Sequence, residues 1–323
     1  MFDSERIREL IAQRHPSIRK IPATLQKTVP FKHGRAYGID STVTIQGISS
    51  FENKPVEIKL SPTESTPVFE FRQTGERFAI DPGLCQKGQH NIQLGSIKIV
   101  EHPLSFMSAF GVRCDVSLDQ PSFPTFDYCN LPYLEAVQGH LVDLGPESSF
   151  SITKPACLLF GKGYCILEPD QGADALLIDH QVSYPGTSVG TTRLELKLTP
   201  ETYAFLCAAR TPSFRTRSEN LKNYELVRSG QVKEYPVTTE NVLFVDEEEF
   251  YNPRAEFVSN RFNYEFMMHE IIDIIAWLRF LEIAHNGRFV GKMTTFLFDH
   301  HAQIDAAIWA CADRSLWTKS QLV

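Results

Sequence analysis

Between about residues 24 and 118 the chain repeatedly alternates apolar and polar positions. This two-residue period predicts half-buried strands at 41–46, 56–60, 68–71 and 92–100. A helix is predicted at 102–110, a strand at 112–118, and a second helix at 131–144 from the spacing of Leu134, Val137, Leu141 and Leu144. The small and turn-forming residues of 145–149 read as a junction. A second series follows, with strands at 151–154, 163–168, 175–182 and 191–198, a helix at 200–210 and a strand at 241–245. A long, largely apolar helix at 262–284, a strand at 291–298 and a helix from His300 complete it. Strands and then helices, twice over, predict two similar layered α+β domains, 24–147 and 148–323, rather than a doubly wound parallel sheet. Residues 4–14 read as a short amphipathic helix ended by Pro16 and Pro22, within an N-terminal extension (1–23) expected to lie outside the core.

Composition narrows the function classes. With 323 residues there is enough chain for two ordinary cores. A net charge of -7, with no block of Lys or Arg, argues against nucleic acid as a partner. The first residues lack the apolar stretch of a leader, and no later run reaches membrane-spanning length, so a cytoplasmic location is expected. The seven cysteines (85, 114, 129, 157, 165, 207 and 311) are odd in number, scattered and without a C-x-x-C pair. They predict buried thiols rather than a disulfide framework or a cysteine zinc finger. No glycine-rich nucleotide loop is present.

The chemistry-bearing residues gather at three places. His269 and Asp273 are four residues apart in the apolar helix and therefore project from one face. Alone, such a pair reads most simply as a hydrogen bond within the helix. Glu101 and His102 follow a predicted strand at the opening of a helix, where an acidic residue alone reads as a favourable helix start. Together, His102, His269 and Asp273 make two imidazoles and a carboxylate, a donor set suited to a hydrolytic zinc site, with Glu101 as an adjacent base. The same set suits iron(II). His300 and His301, after the strand ending at Phe298, offer a proton donor.

The chain resembles the zinc-dependent UDP-3-O-acyl-N-acetylglucosamine deacetylases of lipid A biosynthesis over most of residues 24–310. The segment 100–111, VEHPLSFMSAFG, resembles the family's V-E-H-L-x-A-A-L-x-G-x-G. PSFPTFD at 121–127, followed by Leu131 and Pro132, resembles P-E-I-P-x-M-D-G-S-x-x-P-F. RFNYEFMMHEIID at 261–273 resembles R-F-x-D-E-F-x-R-H-K-x-L-D, and Ala209, Arg210 and Thr211 match an A-R-T element. The resemblance implies two α+β domains packed face to face around zinc. It implies His102, His269 and Asp273 as metal ligands, Glu101 as the general base that activates water, and Thr211 as a contributor to oxyanion stabilisation. It also implies a second catalytic histidine. Ungapped counting from Gly291 places that histidine at His300, and a one-residue shift selects His301 instead. The implied substrate is a small acylated amino sugar.

Several substrate-binding positions depart from the family pattern. Glu270 stands where a lysine contacts phosphate, Trp277 where an aspartate supports the catalytic histidine, and Phe51 where an early histidine is expected. The acyl-passage segment, 211–224, carries Arg215, Arg217, Asn220 and Lys222, which is poor lining for a fatty chain. A second expectation is therefore a non-catalytic or regulatory homologue that retains the fold and binds a sugar-type ligand or a protein partner.

Overall fold

The computed structural model describes residues 4–22, 27–88, 91–126, 129–170, 172–214, 217–229, 238–259 and 261–320. It is a mixed α+β fold built on two main sheets. One has five strands in the order Val43–Ile48, Pro55–Ser61, Asp115–Leu118, Val68–Phe71, Glu76–Ala79. Alternation produces this sheet directly: Val56, Ile58 and Leu60 are buried while their neighbours reach the surface. The other has six strands in the order Arg19–Lys20, Gly190–Leu198, Leu176–Tyr184, Gly291–Phe296, Gly163–Glu168, Ala156–Phe160.

Eight helices are found among the described residues: α1 Ser4–Ala12, α2 Glu101–Phe110, α3 Leu131–Val137, α4 Pro200–Leu206, α5 Arg217–Arg228, α6 Glu265–Ala276, α7 Leu278–His285 and α8 His300–Ala312. Helices α2 and α6 pack on one another at the centre. Every residue of α2 is buried, and so are ten of the twelve in α6. A helix apolar nearly all round belongs in such a position. One apolar core runs from Val56 and Phe69 in the five-stranded sheet through Leu104 and Ile271 to Leu194 and Met293 in the six-stranded sheet.

Four expectations are corrected. The helix expected over 131–144 stops at Val137, and Leu141–Pro146 instead forms a strand antiparallel to Arg35–Ile39. Leu144, which completed the helical spacing, is 53% exposed and belongs to no buried helix face. The strand expected over 92–100 is a hairpin of Ile92–Leu94 and Ile97–Lys98, turned at Gly95 with φ 59°. The helix expected over 262–284 breaks at Trp277, whose buried indole wedges edge-on against Phe298.

The N-terminal segment, expected outside the core, is attached to the six-stranded sheet. Ile7 and Leu10 of α1 pack with Cys157, Tyr164 and Ile166. Beyond α1, Arg14 is buried and donates to Asp179 Oδ1 at 2.7 Å and to the Thr295 carbonyl at 3.1 Å. Arg19–Lys20 then adds an edge strand parallel to Gly190–Leu198. The short amphipathic pattern gave α1 correctly, but its docking depends on Arg14 finding a carboxylate over a hundred residues away.

Candidate metal centre

The contact of α2 with α6 brings Glu101 and His102 beside His269 and Asp273. The chain enters α2 through Ile99, a β-branched residue at φ 63°. Such a conformation is costly and persists only where the surrounding structure imposes it. It turns the edge strand Ile97–Lys98 so that the first turn of α2 faces α6.

Asp273 lies at the centre of the histidines. Its Oδ1 is 3.6 Å from His102 Nε2, and its Oδ2 is 3.6 Å from His269 Nε2 and 3.7 Å from His300 Nε2. These separations are too long for hydrogen bonds. They are close to the roughly 3.3–3.5 Å that separates two N or O ligands of one tetrahedral ion at ordinary bond lengths. The simple intrahelical hydrogen bond between His269 and Asp273 is therefore not formed. His269 Nδ1 instead lies 3.0 Å from the Ala209 carbonyl, the geometry of a donor to that oxygen, which leaves Nε2 as the ring's lone-pair atom. Asp273 Oδ1 is buried and accepts no hydrogen bond from the described residues.

The electrostatics suit a divalent cation. Burial, followed by the charges of His269 and His300, lowers the pKa of His102 well below the ordinary histidine value. Burial pushes His269 down to about 4, opposed by its bond to Ala209. Both rings are thus neutral, as metal ligands must be. Asp273 is pushed well above the ordinary carboxylate value by burial and then by the charges of Glu101 and Glu270. Glu101, buried with Oε2 accepting from the Ile92 amide at 2.9 Å, is pushed up to about 8 by its burial. Two mutually unfavourable buried carboxyls beside two neutral imidazoles form a cluster that a divalent cation would relieve.

The remaining expected residues divide clearly. His300 opens α8 and faces Asp273. His301 turns away to the Gly88 carbonyl, 2.9 Å from Nε2, and stays outside the cluster. Thr211 begins the strand Thr211–Phe214, two residues after the carbonyl that holds His269. That strand is anchored by Arg210, which is 1% exposed and makes a forked ion pair with Glu265 at the start of α6. Burial, then the charge of Asp299, raises the pKa of Glu270 to about 7. Phe51 is exposed near Lys98. Asp127 and Arg215 lie outside the described residues.

Sequence reasoning assigned Cys129 only to the buried thiols. The structure places it with His102 and His269 in a group whose ligand atoms all lie within 4.8 Å of one another. No spacing could reveal this, because the three residues come from three separated segments.

The sequence profile of the family described as UDP-3-O-acyl N-acetylglycosamine deacetylase matches residues 37–306. Curated relatives named UDP-3-O-acyl-N-acetylglucosamine deacetylase include one from Aliarcobacter butzleri, 23% identical over 277 residues, spanning 81% of this chain and 85% of the relative. The relative from Wolinella succinogenes is 22% identical over 272 residues (81% and 87%), and that from Leptospira biflexa is 22% identical over 278 residues (81% and 86%).

Proposed function

Because the chain belongs to the UDP-3-O-acyl N-acetylglycosamine deacetylase family, we propose that it is a zinc-dependent amidohydrolase. In this reading it removes the N-acetyl group from an acylated UDP-N-acetylglucosamine or a related amino sugar. The observation that carries the proposal is the convergence of His102, His269 and Asp273 at 3.6 Å without hydrogen bonds between them. Those three residues would hold the metal, which supplies Lewis acidity toward the amide oxygen and the attacking water when bound. Iron(II) would fit the same two imidazoles and carboxylate.

The protein's own groups then have defined tasks. Glu101 takes the proton of the attacking water, and its buried site keeps its basicity close to that needed near neutral pH. Thr211, held beside the Ala209–Arg210 anchor, contributes to stabilising the developing oxyanion. His300, whose Nε2 lies 3.7 Å from Asp273 Oδ2, stabilises that charge or protonates the leaving amine. The site lies between the two α+β units, 24–147 and 148–323, and acts in the cytoplasm; no helix among the described residues is long and apolar enough to cross a membrane.

The test is incubation of the zinc-loaded protein with UDP-3-O-acyl-N-acetylglucosamine and with simpler N-acetylated sugars, followed by detection of free amine. No turnover on any of them, with one equivalent of zinc bound, overturns the proposal. Glu270, a carboxylate where a phosphate-binding lysine is expected, favours a second reading as a ligand-binding homologue. Glu101→Gln separates the two: an enzyme loses turnover while retaining metal, and a binding protein keeps its ligand affinity.

A further inference from the structure

We propose that Trp277 and Gln303 are positioning residues: they act through His300, holding its ring against the carboxyl of Asp273. The inference rests on the role given to His300 above and deepens it by naming what keeps that side chain in place.

Two parallel contacts join α6 to the start of α8. Asp273 and Trp277 are four residues apart at the end of α6, where Trp277 is still helical at φ -66°, so they stack on one face. Opposite Asp273 stands His300, with Nε2 3.7 Å from Oδ2. Opposite Trp277 stands Phe298, with ring centroids 5.9 Å apart and planes at 79°. Phe298 also packs on Phe160, at 5.7 Å between centroids, and both Trp277 and Phe298 are buried. The aromatic contact therefore fixes the spacing between α6 and the chain two residues before His300, and with it the contact to Asp273.

The approach to His300 is strained. Leu297 has φ 44°, a left-handed conformation that a bulky residue adopts only where its surroundings impose it. The neighbouring turn makes room for it: a Cβ added to Gly163 would collide with the Leu297 carbonyl. Past Leu297 the chain enters α8 through the cap Asp299, whose Oδ1 accepts from the Ala302 amide at 2.9 Å. The buried Gln303 reaches back and donates from Nε2 to the Phe298 carbonyl at 3.2 Å, while its amide donates to the Asp299 carbonyl at 2.9 Å. Gln303 thus grips both residues that precede His300 and sets the angle at which α8 starts. Neither side chain is ionisable, so the support is steric and through the backbone. It matters because a displacement of about 1 Å at a reacting group can cost about a hundredfold in rate.

The test uses the full chain loaded with zinc. Gln303→Met keeps the buried volume and removes the bond to the Phe298 carbonyl; Trp277→Leu removes the ring contact, and Trp277→Phe restores part of it. Gln303→Met and Trp277→Leu should each lower kcat on an N-acetylated sugar by about 10–100-fold, with KM and bound zinc unchanged. Trp277→Phe should recover much of the loss. In a His300→Ala background Gln303→Met should cost nothing further, because its effect passes through that ring. An equal loss with and without His300 marks a merely structural role and overturns the proposal. A second readout needs no turnover: in spectra of isotope-labelled histidine, the His300 resonances, assigned by their loss in His300→Ala, should broaden or split in Gln303→Met while those of His269 stay in place. Unchanged His300 resonances in the folded variant overturn the proposal as well. If the wild-type protein turns over no substrate, that perturbation still supports the placement of His300 by Gln303, and only the hydrolase reading falls.

Discussion

Arg210 and Glu265 form a forked ion pair, with Nε to Oε1 at 2.6 Å and Nη2 to Oε2 at 2.9 Å, and both side chains are almost sealed from solvent. The remaining donors of Arg210 reach the carbonyls of Thr239 and Asn252 at 2.7 and 2.6 Å, so the guanidinium is well satisfied. The pair joins the residue after Ala209 to the first residue of α6. It thereby fixes the carbonyl that orients His269 relative to the helix that carries His269.

Removing one partner should have two effects. Glu265→Gln leaves Arg210 as a buried unpaired charge, and urea unfolding should show a loss of about 3–5 kcal/mol. Zinc affinity should also fall by about tenfold or more, because the support of His269 is loosened. Unchanged metal affinity in a folded variant would show that the ion pair plays no part in the centre.

The attachment of the N-terminal segment should depend on pH. Asp179 is desolvated, which alone raises its pKa, but the hydrogen bond from Arg193 and the charge of Arg14 outweigh this and hold it below the ordinary value. Its stabilisation is therefore present above the unfolded carboxyl value of about 4, and is lost as pH falls through the depressed folded value. Asp179→Asn should cost about 3 kcal/mol at neutral pH. The gap from wild type should shrink below about pH 4, and parallel unfolding curves at all pH values would contradict this.

Gly111 ends α2 at φ 66°, and an added Cβ would lie 2.6 Å from Arg288 Nη2 and 2.7 Å from the Arg35 carbonyl. The arginine end can move, but the backbone carbonyl cannot do so cheaply. Gly111→Ala should lower stability by about 2 kcal/mol or more in thermal or urea unfolding. A neutral effect would mean that the end of α2 relaxes freely.

The two adjacent histidines should behave differently. His300→Ala should reduce kcat by about 10²–10⁴ if its imidazole acts on the developing charge or the leaving group. His301→Ala, which loses only the contact with Gly88, should leave turnover near wild type. Steady-state kinetics on whichever N-acetyl sugar is turned over would check this, and equal losses would reject the assignment.

Zinc should also stabilise the fold, because it relieves the buried carboxyls of Glu101 and Asp273. At about a hundredfold excess over Kd the gain should be about 2.7 kcal/mol. It should be visible as a rise in Tm that a chelator reverses and that Asp273→Ala abolishes.

The chain alone determined the α+β class, because alternating strands and the apolar helices carry their periods in local order. It also exposed His102, His269 and Asp273, since i,i+4 spacing and the resembling motifs are properties of short segments. Tertiary structure decided everything that depends on which segments meet. Leu141 and Leu144 fit a helical period, yet pairing with Arg35–Ile39 makes that segment a strand. His300 and His301 are neighbours in sequence, and only the entry of the chain into α8 turns one toward Asp273 and the other toward Gly88. Cys129 is the clearest case: no metal-ligand spacing in the sequence includes it, and only the packing of its turn against α2 brings its sulfur beside two neutral imidazoles. Local periodicity reports which face is apolar; it carries no information about the partner that face will find, and the candidate metal centre is assembled from such partners.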